Sequence, residues 1–142
     1  MADWFSEFDS QSARVVPKVI DPDTHAVLDY LTASAFFVAG AASWDGNKRA
    51  GIAALINGFM VLGMSLFTDY SGSAAKLIPF ETHGKLDVVQ MAMAATMPTV
   101  MGFGDSKAAA FFRGQALNEA MVISLTDWSR RNQSSSRRRR AA

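Results

Sequence analysis

His25, Asp29 and Thr32 are spaced i, i+4, i+7, which places an imidazole, a carboxylate and a hydroxyl on one face of a helix. His83, Asp87 and Gln90 repeat that spacing, and these are the only two histidines in the chain. Asp69 and Asp127 end the apolar segments that follow, where the negative end of a helix dipole disfavours an anion unless a cation or donor is near. If the two halves pair, two imidazoles and four carboxylates gather near one surface. Three chemistries suit such a cluster. Histidine can meet an acid at a helix end and latch a hairpin shut; His–Asp pairs can carry protons through a membrane; imidazole and carboxylate together suit a divalent metal. The spacing matches no zinc signature, so the expected metal and cofactor content is none. The chain also lacks a Ser-His-Asp nucleophile arrangement, a phosphate-binding glycine loop and an HExxH motif, so no enzymatic activity is expected.

Four apolar segments must position these residues: about His25 to Trp44, Arg49 to Phe67, Leu86 to Phe103 and Ala108 to Leu125. Each is about 18–20 residues long, enough at 1.5 Å per residue to cross a hydrocarbon core of about 30 Å. Short polar turns, Asp45-Gly46-Asn47-Lys48 and Gly104-Asp105-Ser106, close two hairpins, and a longer link from Thr68 to Lys85 joins them. Charged residues are 19% of the chain, below the soluble norm of about 25%, and are concentrated toward the ends. The second segment has no charge between Ala50 and Phe67, so it offers no face suited to bulk water. Small residues (Ala35, Ala39 and Ala42, then Gly51, Gly58 and Gly63) are placed to let helix backbones approach. Thr24 and Thr82 are expected to cap helix N-termini, with Asp23 and Glu81 at the positive ends of the dipoles. The expected fold is all-α: a four-helix transmembrane bundle of two parallel tandem αα-hairpins.

Shifting the sequence by 58 positions aligns Ile20, Thr24, His25, Leu28 and Asp29 with Ile78, Thr82, His83, Leu86 and Asp87. Gly46, Ala50, Thr68 and Asp69 likewise fall on Gly104, Ala108, Thr126 and Asp127, and a Thr-Asp-aromatic triplet ends both hairpins. This reads as an internal duplication. Two spans per copy give both copies the same orientation, related by a pseudo-two-fold axis along the membrane normal. The termini and the middle link carry ten Lys or Arg and the short turns three, so the positive-inside rule places both termini in the cytoplasm of a multi-pass inner (plasma) membrane protein. The resulting organisation is an interfacial segment over 1–23, hairpins over 24–70 and 82–128, a linker over 71–81 and a basic tail over 129–142. The first twenty residues lack a basic start followed by an apolar run, so the chain's own helices are expected to direct insertion.

Several polar residues fall inside the spans. Asn57 and Gln115 align with one another and extend the polar lining toward the midplane, while Arg113, Asn118 and Glu119 occur in the second hairpin alone. Arg113 and Glu119 are six apart and point in different directions, toward a pore or toward polar partners such as Asn57 or a second protomer. Trp4, Phe5 and Phe8 form a candidate aromatic anchor at the interface. Arg137, Arg138, Arg139 and Arg140 follow three serines and suit anionic lipid headgroups; without interleaved aromatics they do not suggest nucleic acid. Cysteine is absent, which excludes disulfides and thiolate sites.

Thr24-His25 with Leu28-Asp29, the Thr68-Asp69-Tyr70 hairpin end, Ile78-Pro79 leading into His83 and Leu86-Asp87, and Pro98 before Gly102-Phe103 resemble the SPW-repeat proteins. That family comprises small, mainly bacterial membrane proteins with two spanning helices per repeat and no established activity. The Ser-Pro-Trp signature is itself degenerate here: Met97-Pro98-Thr99 keeps the proline and Ala39-Gly40-Ala41 keeps nothing. The resemblance implies the membrane topology; the matched residue pairs within the chain point to a non-enzymatic structural or accessory membrane subunit, with the bilayer and a homo-oligomer or larger assembly as expected partners. A small oligomeric transporter or channel with the His/Asp cluster at its cytoplasmic mouth, and a metal- or cofactor-binding membrane protein, are the alternatives.

Overall fold

The computed structural model describes residues 3–129, which form five helices and no strands among them. The helices are α1 (Trp4–Ser12), α2 (Pro22–Ser43), α3 (Lys48–Phe67), α4 (Phe80–Val100) and α5 (Lys107–Leu125). The last four are the expected segments, with α2 and α4 starting earlier than apolarity alone suggests. Pro22, at the first turn of α2, needs no helical partner for its missing N–H. The N-cap of α2 is Asp21, whose carboxylate accepts from the Thr24 amide, so Thr24 lies inside the first turn instead of capping it. Pro79 starts α4 without a side-chain cap, and Thr82 is likewise inside the helix. Asp23 and Glu81 do occupy first turns. Asn47 and Ser106 cap α3 and α5.

Two tight hairpins result, α2 against α3 and α4 against α5, and these pairs share the most extensive packing. The first depends on glycine: a Cβ on Gly51 would lie 3.2 Å from the Gly40 carbonyl oxygen, and one on Gly58 3.0 Å from the Phe37 ring. The small residues that touch are therefore Gly40, Gly51 and Gly58. Ala42 is exposed and Gly63 meets nothing, so the expected stripe is only partly an interface. Phe36, Ala53, Ala54, Ala94, Phe103 and Phe112 fill the core near the short turns. A second core of Phe5, Ala26, Tyr70, Phe80, Ile123 and Trp128 lies toward the opposite end.

The hairpins are stitched together by short extended segments. The Ile20 amide donates to the Leu125 carbonyl and the Asp127 amide to the Ile20 carbonyl. Fifty-eight residues on, the Ile78 amide donates to the Phe67 carbonyl, and the Asp69 amide donates to that of Ile78. The strand-like lead-in to each hairpin thus pairs with the chain leaving the other.

The N-terminal segment contains a helix that the sequence reading takes only as an aromatic anchor. Asp3 caps α1 by accepting from the Phe5 amide and pairs with Lys85 of α4, which holds the Asp3 carboxyl below its usual value. Trp4 and Phe8 are exposed, but Phe5 is 1% exposed and inserts against Trp128. It is a core residue, because the surface it meets has been opened by Gly84.

Of the described helices, α2 and α3 are long and apolar enough to cross a membrane. α4 and α5 reach 21 and 19 residues but carry more polar side chains. The basic residues Arg137 to Arg140 lie outside the described residues.

A Cβ at Gly84 would lie 2.6 Å from the Phe5 ring and 2.9 Å from that of Trp128. Gly84→Ala is expected to lower stability by about 1–3 kcal/mol through overpacking. Combining it with Phe5→Ala should cost less than the sum of the two single changes, read by thermal unfolding.

Candidate functional site: a buried His–Asp tetrad

α2 and α4 each carry a histidine in their first turn and an aspartate one turn later, and the two helices present them to each other. His25 Nε2 lies 3.4 Å from Asp29 and 3.1 Å from Asp87. His83 Nε2 lies 3.0 Å from Asp29 and 3.2 Å from Asp87. Each imidazole therefore faces its own carboxylate and that of the other hairpin, and each carboxylate spans both imidazoles. The ring centroids are 5.3 Å apart. His25 and His83 are 1% and 0% exposed, and Asp29 is 8% exposed.

The far side of each ring is equally specified. His25 Nδ1 is 2.9 Å from the Thr126 hydroxyl, and His83 Nδ1 is 2.7 Å from that of Thr68. Each hydroxyl has one hydrogen, and each donates it to a carbonyl one turn back: Thr68 to Met64 at 2.7 Å, Thr126 to Val122 at 2.6 Å. The threonine oxygens must therefore accept from the rings. Both Nδ1 atoms carry a proton, and both Nε2 atoms are turned toward the carboxylates.

Aromatic rings wall the cluster from water. The Phe80 ring stacks on His83, Trp128 lies 4.9 Å from His25, and Tyr70 lies 5.8 Å from His83. Tyr70 also donates to Asp29 at 3.1 Å, and Ser65 donates to the same oxygen at 2.9 Å. Burial and the neighbouring Asp29 carboxylate push the Tyr70 phenol well above its usual range, so it stays a donor.

The two halves differ at this point. Ser65 and Tyr70 correspond to Ile123 and Trp128, so Asp87 has no hydroxyl from either place. Where the first hairpin has Val61 the second has Glu119, which is 8% exposed with neither carboxylate oxygen hydrogen-bonded. Glu119 borders a cavity of about 20 Å³, lined also by His25, Asp29, Thr32, Asp87, Gln90 and Asn118. That is room for about one water molecule.

The structure thus brings together His25, Asp29, His83 and Asp87, with Thr32 and Gln90 at the rim. It does not bring in Asp69 and Asp127. Asp69 pairs with Lys76 at 3.2 Å, and Asp127 accepts from Ser129. The backbone bridges aim the preceding threonines inward and so turn these acids away. The His–acid latch expected at the helix C-termini is a His–threonine contact. Asn57 is buried and bonds Gln90, not Gln115, and the Met97 sulfur. Arg113 is exposed and donates to the Gly104 carbonyl at 3.0 Å, so of the two unmatched charges only Glu119 points inward. Thr68, Thr126, Ser65 and Tyr70 were missed as site residues. The signal for the threonines was present in the Thr-Asp-aromatic triplet, whose first residue is the one that reaches in. No protein-family model, curated protein or solved structure matches this chain.

Thr68→Val and Thr126→Val each leave a buried imidazole N–H without an acceptor. Each is expected to cost about 1–3 kcal/mol in thermal unfolding. The two losses should be of similar size because the contacts are reciprocal, whereas Asp69→Asn should change stability little.

Proposed function

We propose that this chain is an integral membrane protein of the SPW-repeat type that serves as a structural or accessory subunit. In this reading all four long helices span the bilayer, the chain arose by duplication of one hairpin, and both termini and the middle link face the cytoplasm. The observation that carries the proposal is an inverted polarity. Val27, Leu31, Val38, Phe59, Val89 and Leu117, drawn from α2, α3, α4 and α5, are 58–71% exposed. The interior meanwhile holds His25, His83, Asp29, Asn57, Gln90 and Glu119. Water would favour the opposite arrangement, whereas hydrocarbon favours apolar outer faces and polar groups paired inside. Arg113 fits as well, since it reaches toward the short-turn end of its helix, as a snorkelling side chain would.

The tetrad then acts as a lock between hairpins. Small residues bring α2 and α3 together, but between the hairpins it is the crossed His–Asp and His–Thr contacts that specify one pairing. A cavity of about 20 Å³ beside the lock supports a structural role over a transport path. A subunit held this way offers its partners a rigid apolar surface.

Because the native chain has no cysteine, single cysteines report topology without background. Asp45→Cys and Asp105→Cys, in the short turns, are expected to react with an impermeant maleimide only from the periplasmic side of intact cells. Ser71→Cys, in the middle link, should react only after the membrane is opened. Equal labelling at all three sites in intact cells, or a chain that stays monodisperse in buffer without surfactant, would refute the membrane reading.

A further inference from the structure

Hydrogen bonding completes one imidazole of the tetrad and not the other: His25 Nε2 is hydrogen-bonded to Asp87 at 3.1 Å, whereas His83 Nε2 has no directed partner. With both Nδ1 protons held by Thr68 and Thr126, the Nε2 atoms are the only ring positions left to face Asp29 and Asp87. A bare Nε2 lone pair pointed at a carboxylate repels it in a dry pocket, so either a proton on the ring or a bound cation has to lie between them. His83 Nε2 illustrates the point: although 3.0 and 3.2 Å from the two carboxylates, it makes no directed hydrogen bond to either.

The geometry points to a divalent transition-metal site, of the kind that takes Zn²⁺, formed by His25 Nε2, His83 Nε2 and one oxygen each from Asp29 and Asp87. Four ligands at about 2.0–2.1 Å from a tetrahedral ion are separated from one another by about 3.3–3.4 Å. With one oxygen taken from each carboxylate, His83 Nε2 lies 3.0 Å from Asp29 Oδ2 and His25 Nε2 lies 3.1 Å from Asp87 Oδ2, and one ligand atom from every residue lies within 4.8 Å of all the others. Small side-chain shifts therefore reach coordination distance. Two neutral imidazoles and two carboxylates balance one divalent ion, and the nitrogen and oxygen donors suit zinc better than calcium or magnesium.

Two further observations bear on the ligand independently. Threonine acceptors on both Nδ1–H groups, themselves anchored to backbone carbonyls, are the outer-shell support that metal-bound histidines require. Glu119 has two partnerless buried carboxylate oxygens and lines the same small cavity as His25, Asp29 and Asp87, so unbalanced polarity extends from the tetrad on that side. Ser65 and Tyr70 hold Asp29 in place, which leaves Asp87 as the more adaptable ligand. The site goes beyond the lock described above and does not depend on lipid around the helices. An ion bound by α2 and α4 would tie one hairpin to the other.

The test uses the full chain without a polyhistidine tag, stripped with chelator in detergent and loaded with Co²⁺ or Zn²⁺, then desalted. The expected result is about one ion per chain by elemental analysis, a higher Tm with Zn²⁺, and the intense visible absorption of tetrahedral Co²⁺. His83→Gln and Asp87→Asn should lose the band, and Asp69→Asn should keep it. If His83→Gln fails to fold, wild-type stoichiometry and the Co²⁺ spectrum still decide. Folded wild-type chain that retains no ion and shows no Tm change, or a Co²⁺ band that survives loss of His83, would overturn the site. Either failure, alongside the cysteine labelling expected above, would leave the membrane reading standing.

Discussion

Everything near the open ends of the hairpins depends on where two imidazole protons go. Thr68 and Thr126 spend their single hydrogens on helix carbonyls and so force both histidines to donate from Nδ1. The opposite ring nitrogens are then committed to Asp29 and Asp87, in a pocket closed by Phe80, Tyr70 and Trp128. Low dielectric makes such contacts strong when satisfied and costly when not. The pairing of the hairpins is specified by this requirement more than by shape.

The same requirement explains the crossed backbone bridges. Ile20 and Ile78 each pair with the chain leaving the other hairpin, and that pairing fixes the direction of Thr126 and Thr68. A one-residue slip would turn Asp127 or Asp69 inward instead and add carboxylates to a site that already holds two. Three residues in each half (a lead-in isoleucine, a first-turn histidine and a closing threonine) therefore behave as a unit. Elsewhere the two halves differ at several buried positions, although Asp29 and Asp87 also match. Phe36 corresponds to Ala94, and Val61 corresponds to Glu119, without disturbing the crossed contacts.

The two aspartates of the tetrad have unlike surroundings. Asp29 is held by two hydroxyls and Asp87 by neither, both line a small cavity, and a third carboxylate, Glu119, borders that cavity. Glu119 stands where the first hairpin has Val61. α1 covers the same end of the molecule, with Phe5 seated over Gly84 against Trp128. The N-terminal segment thus closes the aromatic wall around the histidines.

Much of this was legible in the linear chain. Apolar length located the four long helices, though not the starts of α2 and α4, the 58-residue offset paired His25 with His83, and i, i+4 spacing put each aspartate on the face of its histidine, because all three can be read from spacing along the chain. α1 escaped because nine residues with one buried side chain leave little periodic signal. The choice of Thr68 over Asp69 as histidine partner, the pairing of Asn57 with Gln90, and the opposite fates of Arg113 and Glu119 escaped for a different reason. Each depends on how one helix is rotated against another, and that rotation is set by long-range contacts between residues up to about a hundred positions apart. Sequence spacing determines which residues share a face; only packing decides what that face meets.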